Sequence, residues 1–182
     1  MLRIAATALV ALLAAATQPA RADDTIIIVT TVADLGGSCP GPNCTLRAAI
    51  AYANASPAQA QIVGFNISGA CPQTIKVLSE LPAIVDSLSI RAYTQPGGLP
   101  NDSAYVDNAT ICIQLQPASS GSNIANGLRF APSDTTSTFD VSGLAIGGFD
   151  RGIRIEGGNY AIGGNFIGVD ADGSTPRANA YD

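Results

Sequence analysis

The sequence predicts an all-β solenoid, a stack of short parallel strands with one helix near its start. Two blocks of glycine and alternating apolar residues recur in the second half of the chain. Gly127–Phe130 recurs as Gly152–Ile155, 25 positions later, and Gly143–Gly147 recurs as Gly164–Gly168, 21 positions later. A repeat of about 20 to 25 residues that contains two or three short strands is typical of solenoid proteins.

A third repeat would relate Leu88 and Ile90 to Ile111 and Ile113, which lie 23 positions later. Residues one coil apart would lie in neighbouring strands about 4.8 Å apart, with their inward side chains forming an apolar column. Short strands separated by turn residues also occur in β-sandwiches, so a sandwich is the rival fold. The recurring glycine-apolar blocks favour the solenoid.

One segment has the spacing of an amphipathic helix and precedes most of the predicted strands. Its apolar residues follow the i, i+3, i+4, i+7 pattern of a single helix face: Leu46, Ala49, Ile50 and Ala53. Thr45 is the predicted N-cap, and Asn54 is a plausible end. We expect this helix to cover one end of the strand stack, because uncovered strand edges recruit other chains.

Several other segments are predicted to be strands or loops. Thr25–Val32, Ile62–Ile67 and Thr74–Leu78 are rich in β-branched residues and are the expected first strands. Residues 94–108 and 117–126 are rich in glycine, serine, proline and asparagine without periodicity. We expect these two segments to be loops that project from the coils.

The helix segment also carries a family resemblance. The residues that carry this resemblance extend beyond the helix: they are Cys44-Thr45-Leu46-Arg47, Leu81-Pro82-Ala83-Ile84, Gln95-Pro96-Gly97-Gly98 and the glycine-rich segment Ile162–Gly173. These residues resemble bacterial secreted proteins with a Cys-Ser-Leu-Arg-Glu…Leu-Pro domain, of the pectin-lyase-like superfamily. The resemblance implies a right-handed parallel β-helix with an N-terminal capping α-helix. The implied organisation is a cap region over residues 23–85, followed by β-helix coils over residues 86–182.

The chain departs from that family pattern at Ala48, where the family has glutamate. A glutamate there would complete a capping box with Thr45. Without it, Arg47 has no acidic partner nearby in the sequence. We interpret Arg47 as a partly buried cap residue with a packed stem, in preference to a ligand-binding group.

Residues 1–22 have the pattern of a secretory signal peptide. Arg3 precedes the 13-residue apolar run Ile4–Ala16, and Ala20-Arg21-Ala22 fits a small-x-small cleavage site. The apolar run is shorter than the roughly 20 residues that a transmembrane helix needs. The sequence therefore predicts a secreted, periplasmic or outer-surface protein without a transmembrane helix.

The charge balance argues against nucleic acid as a partner. The chain has 9 basic and 14 acidic residues, and removal of Arg3 and Arg21 with the leader lowers the net charge from −5 to −7. Proteins that bind nucleic acid need a basic face.

The four cysteines predict disulfide bonds, because they are even in number and the chain is predicted to be exported. We expect Cys39 to pair with Cys44 in a tight loop beside the helix. The second expected pair is Cys71 with Cys112.

The sequence contains no histidine, which excludes Ser-His-Asp and Cys-His catalysis and histidine-based metal sites. We therefore name no catalytic residue and no cofactor. Asp170 and Asp172 could offer oxygens to calcium. A turn in which aspartate and glycine shape the backbone is the favoured interpretation.

Arg129, Arg154 and Glu156 are the candidate ligand-binding residues. The repeat places Arg129 one coil from Arg154, and Glu156 lies on the same face if Ile153 and Ile155 point inward. Stacked arginines beside an acid could bind an acidic sugar, although such groups are more often solvated ion pairs.

Two classes of function follow from these patterns. The first is a non-catalytic secreted or cell-surface scaffold with a structural, adhesive or carbohydrate-binding role. The alternative is the N-terminal part of a polysaccharide lyase or glycoside hydrolase whose active site lies in further coils. The sequence favours the scaffold, because it shows no convergent catalytic set. The expected partners are polysaccharide or another cell-surface protein. A second copy of the chain is also an expected partner, because we interpret the chain as an incomplete β-helix whose C-terminal coil is open.

Overall fold

The computed structural model describes residues 25–56, 61–119 and 121–181. The predicted signal peptide, residues 1–22, lies outside the described residues. The described part is mostly β, as predicted, and contains one α-helix, α1, at Leu46–Asn54, and a 3₁₀ turn at Ala92–Thr94. The strands are β1 Thr25–Val29, β2 Gln61–Phe65, β3 Gln73–Val77, β4 Leu88–Arg91, β5 Ile113–Pro117, β6 Asn126–Phe130, β7 Thr138–Ser142, β8 Leu144–Ile146, β9 Arg151–Ile155, β10 Asn159–Ile162 and β11 Phe166–Ile167.

These strands form three sheets, and every strand pairing within the sheets is parallel. The first sheet has the order β1-β2-β4-β7-β10, the second β3-β5-β8-β11, and the third contains β6 and β9. Parallel bridges from Ile84 to Phe130 and from Arg151 to Tyr181 extend the third sheet on both sides. From β4 onward the chain visits the first, second and third sheets in rotation. Parallel pairing does not fit the antiparallel sheets of a β-sandwich.

The strand registers confirm two of the three predicted repeats. Leu128 pairs with Ile153, 25 positions later, and Ala145 pairs with Phe166, 21 positions later. The third repeat is wrong, because Leu88 pairs with Phe139 in the first sheet. Ile113 lies in the second sheet, beside Gln73. The two apolar segments therefore belong to different sheets.

The core is built from columns of stacked side chains. In the first sheet one column runs through neighbouring strands, and its first four side chains are fully buried: Ile27, Val63, Ile90, Val141 and then Ile162. Ile162, on the outermost strand β10, is only partly buried. Full burial of such a side chain contributes about 1.5 to 3 kcal/mol, so each added strand stabilises the one below it.

The helix α1 closes this core on one side, as its spacing predicts. Leu46, Ala49, Ile50 and Ala53 are buried, and the helix contacts β1 and β2. The Thr45 hydroxyl accepts a hydrogen bond from the Ala48 amide, which confirms the predicted N-cap. The Asn54 side chain ends the helix and bonds the backbone of residues 83 and 85.

Two disulfide bonds hold the loops, Cys39–Cys44 and Cys71–Cys112, which are the two pairings expected from the sequence. The second one lies at the base of the long loop between the 3₁₀ turn and β5. An antiparallel bridge between Leu99 and Thr110 closes this loop, and Tyr105 at its tip is 97% exposed. The predicted loops at 94–108 and 117–126 are thus largely outside the strands.

Candidate functional site

The candidate residues Arg129, Arg154 and Glu156 lie together on the third sheet. Arg129 and Arg154 are paired in register across β6 and β9. Arg129 donates two hydrogen bonds of 3.0 Å to the Glu156 carboxylate, and the Arg154 Nε lies 2.8 Å from Glu156 Oε1. The structure therefore brings all three candidate residues into one cluster.

The cluster is a solvated ion-pair group. The side chains of Arg129 and Arg154 are 38% and 45% exposed. The hydrogen bond from Arg129, with the charges of both arginines, holds the pKa of Glu156 below its usual range. Glu156 in turn raises the pKa of Arg129. A ligand anion at these arginines would have to compete with Glu156. The condition that Ile155 points into the core is not met, because that side chain is 43% exposed.

Asp170 and Asp172, the weak calcium candidates, have separate partners. Asp170 accepts hydrogen bonds from Nε and Nη2 of Arg177 and from the Gln114 side chain. Asp172 accepts bonds from the backbone amides of Ser174 and Thr175 and from the Thr175 hydroxyl. The Thr175 hydroxyl and these amides lower the pKa of Asp172 from its usual 3.8 to about 2. Residues 171–175 form turns and bends, and the Asp172 carboxylate bonds within them.

Arg47 has the acidic partner that its sequence neighbours lack. The partner is Asp34, whose carboxylate accepts bonds of 3.1 and 2.9 Å from the Nε and Nη2 atoms of Arg47. Asp34 also accepts a 2.8 Å bond from the Leu78 amide, and its side chain is only 1% exposed. Arg47 further donates to the backbone carbonyls of Ser79 and Glu80. This network joins the helix to the loop before it and to the segment after β3, which is a structural role.

A cleft of about 320 Å³ lies beside the second sheet and was not found from the sequence. Lys76 points outward from β3, because Ile75 and Val77 on either side of it are fully buried. Lys76 is paired in register with Gln116 on β5. Arg177 also lines this cleft. Lys76 and Arg177 are 101 positions apart, so no local sequence pattern relates them.

A second, shallower groove of about 270 Å³ lies on the first sheet. It is lined by residues of β4, β7 and β10, among them Ser89, Asp140 and Tyr160. Ser89 and Asp140 are register partners on neighbouring strands. The Tyr160 ring is stacked on Phe139 with a centroid separation of 6.0 Å and is 38% exposed. The groove thus combines an aromatic ring with hydroxyl and carboxylate groups.

Within residues 25–56, 61–119 and 121–181, no three cysteine, aspartate or glutamate side chains are grouped so that they could hold a metal ion. In the same part of the chain, no helix has both the length and the apolar character required to cross a bilayer.

Comparison of the chain with protein-family models, with curated proteins and with solved structures gave no significant match.

Proposed function

We propose that this chain forms a right-handed parallel β-helix in an exported or cell-surface protein, with α1 as its cap. The observation that carries the proposal is the rotation of the strands through three parallel sheets. Connections between parallel strands of one sheet are right-handed in about 98% of cases, which supports the handedness. The two disulfides and the signal-like residues 1–22 support export.

The proposed role of this β-helix is that of a non-catalytic scaffold that binds carbohydrate. Its sheets offer rigid lateral faces, and the cleft and the groove are concave and carry hydroxyl, amide and charged groups. The pKa values of Glu156 and Asp172 are both lowered. Carboxylates with lowered pKa values are poor proton donors and acceptors at neutral pH, so these two side chains are unsuited to general acid–base catalysis.

The test uses the mature chain, residues 23–182, with a panel of immobilised polysaccharides. We expect the protein to be retained by at least one polysaccharide and the length of that polysaccharide to stay unchanged after prolonged incubation. Appearance of shortened or unsaturated products would favour the enzymatic alternative. Failure to bind any polysaccharide in the panel would remove the carbohydrate part of the proposal.

A further inference from the structure

We propose that the cleft between Lys76 and Arg177 binds the anionic group of an acidic saccharide, either a uronate carboxylate or a sulfate ester. This inference rests on the proposed carbohydrate-binding function. It places the site on the second sheet, and not at the Arg129, Arg154 and Glu156 cluster on the third sheet.

Charge is the first argument. The cleft is lined by two cationic side chains together with neutral residues: Lys76, Gln116, Pro117, Ser119, Gly148 and Arg177. The carboxylate beside it, Asp170, is held by Arg177 and Gln114. Both charged residues that line the cleft are cationic, although the whole chain carries a net charge of −5. An anionic group is the ligand that this lining would attract.

The second argument is that Arg177 is fixed before any ligand arrives. Its Nε and Nη2 atoms donate to Asp170, which holds the plane of the guanidinium group. Its backbone amide donates to Gly168, and its carbonyl accepts from the Gly148 amide. A group that is already ordered loses little conformational entropy when it binds a ligand. Its Nη1 atom is not used in these bonds.

The third argument concerns Lys76, which is the only lysine in the chain. In the part of the chain that the structure describes, its ammonium group is in no ion pair. Lysine acts as a compact point charge with three donors, and it suits carboxylate and sulfate groups equally. Lys76 therefore provides the unpaired charge, and Arg177, whose charge is shared with Asp170, provides an oriented hydrogen-bond donor.

The size and floor of the cleft fit a sugar. A volume of about 320 Å³ lies at the lower end of the range for small-molecule pockets, roughly 300 to 1,000 Å³. Gly148 has a φ of +84°, and a Cβ atom there would come within 3.3 Å of Pro117. A larger residue would be strained at this position and would also narrow the cleft. The side-chain oxygen of Gln116 accepts a bond from Gln114. The Gln116 amide nitrogen is not used in this bond, so its hydrogens can be donated to sugar hydroxyls.

The experiment titrates the mature chain with three trisaccharides that carry uronate, sulfate or no charged group. We expect a charged trisaccharide to bind and the neutral one to bind at least tenfold more weakly. We expect Lys76→Gln to weaken binding of the charged trisaccharide about tenfold, because it removes one charge-assisted hydrogen bond. Comparison of the two charged trisaccharides then shows whether the site prefers a uronate carboxylate or a sulfate ester. Arg129→Gln and Arg91→Gln are the matched controls, and we expect both to bind as the wild type does.

A second readout uses the wild-type protein alone. Because Lys76 is the only lysine, an amine-reactive reagent modifies only this side chain and the α-amino group, which mass spectrometry separates. We expect the charged trisaccharide to slow modification of Lys76 and to leave the α-amino group unaffected. Unchanged modification of Lys76 at saturating ligand, or loss of binding in Arg129→Gln and not in Lys76→Gln, would overturn the proposed site. If the protein binds only neutral saccharides, the scaffold function stands and this inference fails.

Discussion

Arg47 and Arg129 each hold a carboxylate with two hydrogen bonds, but the first carboxylate is buried and the second lies at the surface. The Asp34 side chain is 1% exposed and also accepts a bond from the Leu78 amide. The Glu156 side chain is 28% exposed and is shared between Arg129 and Arg154. The distances within the two pairs are nearly equal, from 2.9 to 3.1 Å.

The difference shows that geometry alone does not set the energetic weight of an ion pair. A buried carboxylate that loses its partner stays out of water without compensation, so breaking such a pair is strongly destabilising. An exposed carboxylate regains water when its partner is removed, and the loss is small. We therefore expect stability to depend on Arg47 and to be nearly indifferent to Arg129.

The largest expected effect is that of Arg47→Ala. This substitution leaves the Asp34 carboxylate buried beside one backbone amide and removes the bonds to the carbonyls of Ser79 and Glu80. We expect the free energy of unfolding to fall by about 3 to 5 kcal/mol, measured by urea denaturation.

Two variants sharpen the test of Arg47. Arg91→Ala removes an exposed arginine at the end of β4 and should leave the urea midpoint unchanged. Arg47→Ala combined with Asp34→Ala should cost less than the sum of the two single substitutions, because it leaves no unpaired charge. A loss of less than about 1 kcal/mol for Arg47→Ala alone would contradict a buried pair.

A smaller effect is expected from the helix cap next to Arg47. Thr45→Ala removes the hydroxyl that accepts from the Ala48 amide, and loss of such a cap costs about 1 kcal/mol. Thr45→Ser keeps the hydroxyl and should retain most of the wild-type stability. Equal urea midpoints for the alanine and wild-type proteins would mean that water replaces the cap.

Asp172 is a surface carboxylate whose pKa is lowered by hydrogen bonds within its own turn. Because its folded pKa is lowered to about 2, its stabilising contribution is present above the usual value of 3.8 and is lost as the pH falls towards 2. We expect an NMR titration of the Asp172 carboxyl to give a midpoint near 2. Thr175→Val removes the hydroxyl donor and should raise that midpoint, and an unchanged titration would contradict the assigned cause.

The smallest expected effect is that of Glu156→Gln. It removes the charge that Arg129 and Arg154 share, and both arginines can be hydrated instead. We expect the melting temperature at neutral pH to match that of the wild type. A clear loss of melting temperature that disappears at high salt would show that the cluster contributes more than its exposure indicates.

Local patterns in the sequence predicted the parts of the fold that depend on local spacing. The buried face of α1, its Thr45 cap and the two confirmed repeats follow from side-chain period and glycine position. The failed third repeat shows the limit of this reasoning. Leu88 and Ile113 both lie among alternating apolar residues, but their strands lie in different sheets, and the local pattern does not distinguish which sheet each strand joins.

The charged contacts were harder to predict, because their partners come from distant segments. Asp34 is 13 positions before Arg47, across the loop that Cys39–Cys44 closes, and the sequence suggested no partner for Arg47. The sequence around Tyr181 predicts no strand contact, but Tyr181 bridges to Arg151 in the third sheet. The buried Asn179 side chain, which accepts a bond from the Phe149 amide, helps to hold that segment in place.

The loop that carries Tyr105 has a consequence for how this molecule can be modified. Its two ends are held together by the Leu99–Thr110 bridge, and Cys71–Cys112 lies just below them. Because the closure cost of a flexible loop grows by only about 0.6 kcal/mol for each doubling of its length, added residues at the tip are inexpensive. Because Tyr105 at the tip is 97% exposed, its side chain is not packed on the strands below. The loop is therefore a natural graft site, at which a foreign peptide epitope can be displayed without redesign of the core.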